Sequence, residues 1–388
     1  MIAYNKTWLA NLRLTGQLEK DLKNGFISND EFNAISAKYA VGFYIPGLFA
    51  RIGMFILTCI VMLFVIGLIV LMAGNSLTSA GFPIFLGLLS YAGLEVMVNA
   101  NHHYRSGVDD ALLFVSGCLF FTGFIMMFES FESNHIALTG LTFLLSLVLV
   151  IRFADMLMSA ACCVFFFLFV FFCLTKGTSW GLQIAPFAMI LVSAIVYWLV
   201  NFYSKQTRLI NYENCFLVAR IVCLLAFYAA GNYYVVQSLS DHMDASGIGF
   251  EPIPFGPFFW ACTILLPFVY TCLGIRKKDV VLLRTGLLLI AAAAVTFHTY
   301  YHVLPVDVAL TVLGAALLGI SYSVMKYLRT PKYGFTYEEP DEAHLMDNLK
   351  VESLIIAETF SKAPSGPAES GSKFGGGDFG GGGSSDSF

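Results

Sequence analysis

From Ile52 to Leu94 the chain carries no charged residue. A helix needs about 20 mostly apolar residues to cross the hydrocarbon core, so this run holds two crossings. The stretch GNSLTSAGFP, Gly74 to Pro83, divides it with glycine, proline and small polar residues. The same rule predicts ten spans, at 52–73, 83–99, 110–128, 135–151, 155–174, 180–202, 214–236, 255–275, 279–298 and 306–325. The fold class expected is an all-α integral membrane protein. Composition agrees: 57% of residues are apolar and 12% charged, with a mean hydropathy of +0.74.

Charge placement tests the number of spans independently, because Lys and Arg collect in cytoplasmic loops. With the first span entering from the cytoplasm, every Lys and Arg except Lys176 falls on or just within that side. The inner loops then carry Arg105, Arg152, Lys205 with Arg208, and Arg276 with Lys277 and Lys278. The outer loops carry Glu129, Glu132, Asp241, Asp244, Glu251 and Asp307. Both ends of the chain are therefore expected in the cytoplasm. The mixed polar first fifty residues read as mature protein rather than a cleaved leader.

Four regions follow: a cytoplasmic helical head at 1–45, a ten-span body at 46–328, a cytoplasmic segment at 329–360 and a glycine–phenylalanine tail at 361–388. In the head, LTGQLEKDLKNGFISNDEFNAI predicts two short helices joined at Asn24-Gly25, with Ser28 and Glu31 as a capping box. Residues 326–388 hold 6 basic and 10 acidic residues, which accounts for the net charge of −4. There DEAHLMDNLKVESLIIAETF suits an amphipathic helix with Leu345, Leu349, Ile356 and Phe360 toward one side. SKAPSGPAESGS then suits a flexible linker. The final KFGGGDFGGGGSSDSF is too glycine-rich to order itself, and Phe374, Phe379 and Phe388 are its groups able to gain apolar burial on a partner.

Four spans that enter from the cytoplasm open alike, as RSGVDDALLF, RFADMLMSA, RLINYENCF and RKKDVVLLR. Each has a base in the loop and an acid three to five residues later. An acid suits the unpaired N–H groups and dipole of a helix start, and the base obeys topology. An ancestral two-helix unit, its copies packed as successive hairpins, is the other reading.

Ionisable residues within spans are costly and mark candidate sites. Glu95, with His102, His103, Arg105, Asp109 and Asp110 nearby in sequence, forms a polar group at one hairpin. Arg220 and Arg284 lie one to two turns inside their spans. Together they read either as a cytoplasm-facing ion or anion site or as glue and anchors between helices. His298 and His302 have the four-residue spacing of a metal pair, with Glu129, Glu132, His135 or Asp241 as candidate co-ligands. However, HExxH lacks its glutamate there, and Tyr300 and Tyr301 favour an interfacial aromatic belt. The expectation is no metal, no cofactor and no catalytic residue.

No P-loop, Rossmann fingerprint, GxSxG or zinc-ligand cysteine set is legible, and the nine cysteines lie in or beside spans. Basic residues follow topology rather than a patch, so nucleic-acid binding is not expected. No ionisable residue falls at a span centre, and the two halves lack matching broken helices, which counts against a proton-coupled transporter.

The GFIS turn of the head and hairpins such as GIRKKDVVLLRTGLLLIAAAAVTF resemble uncharacterised bacterial families of predicted multi-pass membrane proteins. That resemblance implies the bacterial inner membrane and brings no activity with it. Phe374–Phe388 resembles the glycine-rich, aromatic-ended tails of TPM-class membrane-anchored proteins. Those usually finish in small residues and Trp, where this chain has Phe388, and no TPM-like globular domain is legible. The functional expectation is a non-enzymatic envelope scaffold recruiting a protein partner through the tail. The alternatives are a channel or transporter with a cytoplasm-facing vestibule, and a membrane enzyme acting on lipid or glycan.

Overall fold

The computed structural model describes residues 2–73, 79–129, 134–177, 181–243 and 254–301, with isolated helical positions between 308 and 326. Two compact units divide the chain, Met1–Ser321 and Tyr322–Phe388. The predicted amphipathic helix and the tail with Phe374, Phe379 and Phe388 lie outside the described residues, as does most of the predicted span at 306–325. Among the described residues every element is helical, apart from one isolated bridge between Tyr44 and His103.

The head forms the two helices joined at Asn24-Gly25 that its sequence predicts, but the first begins at Lys6, eight residues before the predicted stretch. Helix α1 (Lys6–Lys23) starts at Asn5, whose side chain accepts from the N–H groups of Thr7 and Trp8. It ends at Asn24, and Gly25 takes φ +75° to turn the chain. Helix α2 (Asn29–Lys38) carries the capping box: Ser28 Oγ accepts from Glu31 N, and Glu31 Oε2 accepts from Ser28 N at 2.9 Å. Those bonds hold the Glu31 carboxyl below its ordinary range.

Among the described residues, nine helices are long and apolar enough to cross a membrane, which makes this a multi-pass integral membrane protein. They are α3 (Leu48–Ala73), α4 (Gly81–Asn99), α5 (Val108–Glu129), α6 (His135–Phe153), α7 (Met156–Gly177), α8 (Gly181–Tyr203), α9 (Glu213–Gly231), α11 (Gly256–Lys277) and α12 (Val280–Tyr301). They pack as successive hairpins: α4 on α5, α6 on α7, α8 on α9 and α11 on α12. Helix α3 leans on α5, α7 on α9, and α9 on α12. Small residues allow the close approaches that membrane helices need. A Cβ on Gly274 would sit 2.6 Å from Leu283 N, and one on Gly286 would sit 2.7 Å from Thr271 Oγ1.

One predicted span is interrupted. The sequence at 214–236 reads as continuous, but α9 stops at Gly231 and a separate helix, α10 (Tyr233–Met243), begins after Asn232. Asn232 is 2% exposed and leaves the helical region, with φ −83° and ψ 125°. Its Nδ2 donates to the Tyr228 hydroxyl at 3.0 Å and to Thr296 Oγ1 at 3.1 Å, and its Oδ1 accepts from Val235 N. The freed Tyr233 N–H finds Thr263 Oγ1 at 2.9 Å. Helix–helix partners thus satisfy the backbone groups that a break would otherwise strand in an apolar setting.

Candidate functional site at the basic ends of the helices

The arginine-bearing turns share a local device. Ala154 and Lys278 take left-handed backbone angles, with φ 51° and 55°, and each is followed by an aspartate that starts the next helix. Asp155 Oδ1 accepts from Met158 N at 2.9 Å; Asp279 Oδ1 accepts from Val281 N and Leu282 N. At these two starts the acid serves as a helix cap, and its identity follows from the unpaired N–H groups at a helix start, whereas no side-chain cap bond is made where Glu213 opens α9.

The turn before α5 is more elaborate. Asp109, 2% exposed, accepts from Ser106 N, Ser106 Oγ and Arg105 N at 2.8 to 2.9 Å. Gly107 takes φ +91°, and a Cβ there would run into the Arg51 carbonyl, so glycine is required on both counts. His103 Nδ1 lies 2.7 Å from Ser106 Oγ, and the His102 ring packs edge-on to Trp8. Both histidines are thus held by the turn and the head.

Among the described residues, three ion pairs tie helices together. Arg51 in α3 donates twice to Asp110 Oδ2 in α5, at 2.9 and 2.7 Å. Arg152 in α6 grips both oxygens of Glu95 in α4, at 2.8 and 2.9 Å. Glu95 also accepts from the Tyr91 hydroxyl and from Asn99 Nδ2, each at 2.8 Å. Arg220 in α9 pairs with Asp279 at the start of α12.

The polar residues singled out in the sequence are gathered only in part: Arg105, Asp109 and Asp110 line one small pocket with Asp155. Glu95 meets Arg152 rather than Arg220, while Arg220 goes to Asp279. Arg284 sits in the second turn of α12, five residues beyond Asp279. His298 lies near the end of the same helix, and His302 is outside the described residues. Sequence reasoning missed Arg152 and Arg51 as partners and Asn232 as a break. The Gly231-Asn232 dipeptide was the available signal for the break, since such punctuation ends helices.

The head docks onto this end of the body. Ala3 N donates to the Arg152 carbonyl at 2.7 Å. Tyr4, 8% exposed, packs edge-on against Tyr104, Phe43 and Phe153. Burial, followed by the nearby Asp109 charge, pushes the Tyr4 phenol well above its ordinary pKa. Leu9 joins the same cluster with Leu94, Val98, Leu113 and Phe153. No family model, curated protein or solved structure matches the chain.

Proposed function

We propose that the protein is a non-enzymatic scaffold or assembly partner of the bacterial inner membrane, with both ends of the chain cytoplasmic. It recruits a protein through the glycine–phenylalanine tail. One observation carries the reading: Glu95, Asp110 and Asp279 are each engaged by an arginine of a neighbouring helix. Charges spent in this way fasten helices into a fixed array, which suits a platform. The one-sided placement of Lys and Arg supports the orientation. The tail supplies slack through glycine and buriable area through Phe374, Phe379 and Phe388.

The test is a crosslinked affinity purification from the native membrane, comparing the full chain with a chain ending at Ser372. The account expects loss of a discrete captured protein with no change in melting temperature. Replacing the three phenylalanines by serine should act nearly as strongly as truncation, and glycine-to-serine changes should act weakly. An unchanged set of captured proteins would contradict recruitment through the tail.

A further inference from the structure

A cavity of about 450 Å³ opens where the head meets the body. Its walls come from α1, from the segment entering α3, from the turn before α5 and from the residues just before and at the start of α9. Arg13, Arg51 and Arg105 line it, against the single carboxylate of Glu213. Arg51 is matched by Asp110. Arg13 instead donates to the neutral amide oxygen of Asn211, and Arg105 lies over the Tyr104 ring, 5.6 Å from its centroid. Among the described residues no carboxylate oxygen lies within ion-pair distance of either guanidinium. Neither guanidinium is spent on a direct ion pair, although Glu213 lines the same cavity and Arg105 also borders a smaller pocket walled by Asp109, Asp110 and Asp155.

Arg105 also departs from local preference. Its φ of 50° is a conformation that glycine or asparagine adopts at lower cost, so the backbone does not explain an arginine there. Beside Asn211 and Asn214 the wall has apolar residues: Leu48 begins α3, Ile45 and Pro46 lie just before it, and Ile210 lies just before α9. The cavity thus sits at the depth where spans begin, which is where lipid phosphates lie, and its lining offers both guanidinium groups and apolar surface. Guanidinium groups bind phosphate oxygens with two parallel hydrogen bonds. Basic pockets beside transmembrane helices suit anionic headgroups in this way.

We propose that this cavity binds the phosphate headgroup of an anionic phospholipid, with Arg13 and Arg105 as its ligands. The apolar wall receives the glycerol and the first carbons of the chains. Placed there, the lipid contacts head and body together, so its binding fastens one to the other.

The test uses the delipidated full chain in neutral detergent. Phosphatidylglycerol, phosphatidylcholine and inorganic phosphate are titrated separately, with bound lipid counted by native mass spectrometry and melting temperature followed in parallel. The account expects retention of phosphatidylglycerol over phosphatidylcholine, with a rise in melting temperature. At about a factor of five per arginine, Arg13→Gln with Arg105→Gln should weaken retention about twenty-five-fold. Arg13→Lys with Arg105→Lys should keep the preference for the anionic lipid, which separates lost binding from lost folding. Lys277→Gln, at the far hairpin, should change nothing. Unchanged phosphatidylglycerol retention in the Gln variant would overturn the site. Equal protection by inorganic phosphate at the same concentration would overturn the lipid assignment in favour of a soluble phosphate.

Discussion

The hairpin ends at α5 and α12 solve one problem with different numbers of acids. Before α5 the work is divided: Asp109 holds the turn through three hydrogen bonds, and its neighbour Asp110 pairs with Arg51. Before α12 one residue does both. Asp279 caps the helix with Oδ1 and pairs with Arg220 through Oδ2. The difference follows from turn length. Only Lys278 and Asp279 separate α11 from α12, whereas 100–107 separates α4 from α5 and the longer turn has its own backbone groups to satisfy. The shorter solution concentrates consequence in a single side chain.

That contrast predicts an order of effects. Asp279→Ala removes cap and counter-ion together and leaves the Arg220 charge unpaired. It should cost about 4 kcal/mol, from roughly 3 for breaking an enclosed pair and roughly 1 for the cap. Thermal unfolding in a fixed detergent measures it. Asp279→Asn keeps an oxygen for the cap, so it should lose only the pair and match Asp110→Asn, at about 3 kcal/mol or less. Equal losses for Asp279→Ala and Asp279→Asn would show that the cap contributes nothing.

Asp109→Ala comes next. It leaves the Arg51–Asp110 pair in place but frees the N–H groups of Arg105 and Ser106. A loss of about 2 kcal/mol is expected, with faster amide exchange confined to 102–110. Glu95→Ala should exceed Glu95→Gln, because the amide retains hydrogen bonds to Arg152 that count in an apolar setting. Matching, negligible effects of the two would remove Glu95 from the set of fasteners.

The smallest effect concerns pH at the docked head. The folded-state pKa of Tyr4 is raised, so its contribution is complete below the unfolded value and is lost as pH rises past about 10. Melting temperature should fall between pH 9 and pH 11 by more in the native chain than in Tyr4→Phe. Identical slopes would place Tyr4 outside the titrating set.

Much of this contrast was legible beforehand, and the reason is physical. Hairpin number depends on apolar run length, and the acids Asp155 and Asp279 depend on unpaired N–H groups at a helix start, both of which are local properties. The Ser28–Glu31 capping box is local too. Pairing across helices is not local: Glu95 and Arg152 are 57 residues apart, and Arg220 and Asp279 are 59 apart. Knowing that such residues share one membrane face leaves several partners open until helix neighbours are known. The break at Asn232 escaped for a related reason. An apolar sequence continues through it, and the hydroxyls that make it tolerable come from Thr263 and Thr296, on other helices.

The central claim is that charges within the membrane body fasten helices to one another. A double-mutant cycle on Arg220→Met and Asp279→Asn, read as unfolding free energy in a fixed detergent or bilayer, tests it most directly. The Asn keeps the cap, so the cycle isolates the charge interaction. The account predicts that the double variant loses less than the sum of the single losses, by at least about 1 kcal/mol, because removing the second charge relieves the first. Additive losses would show that the two charges act independently and would contradict the claim.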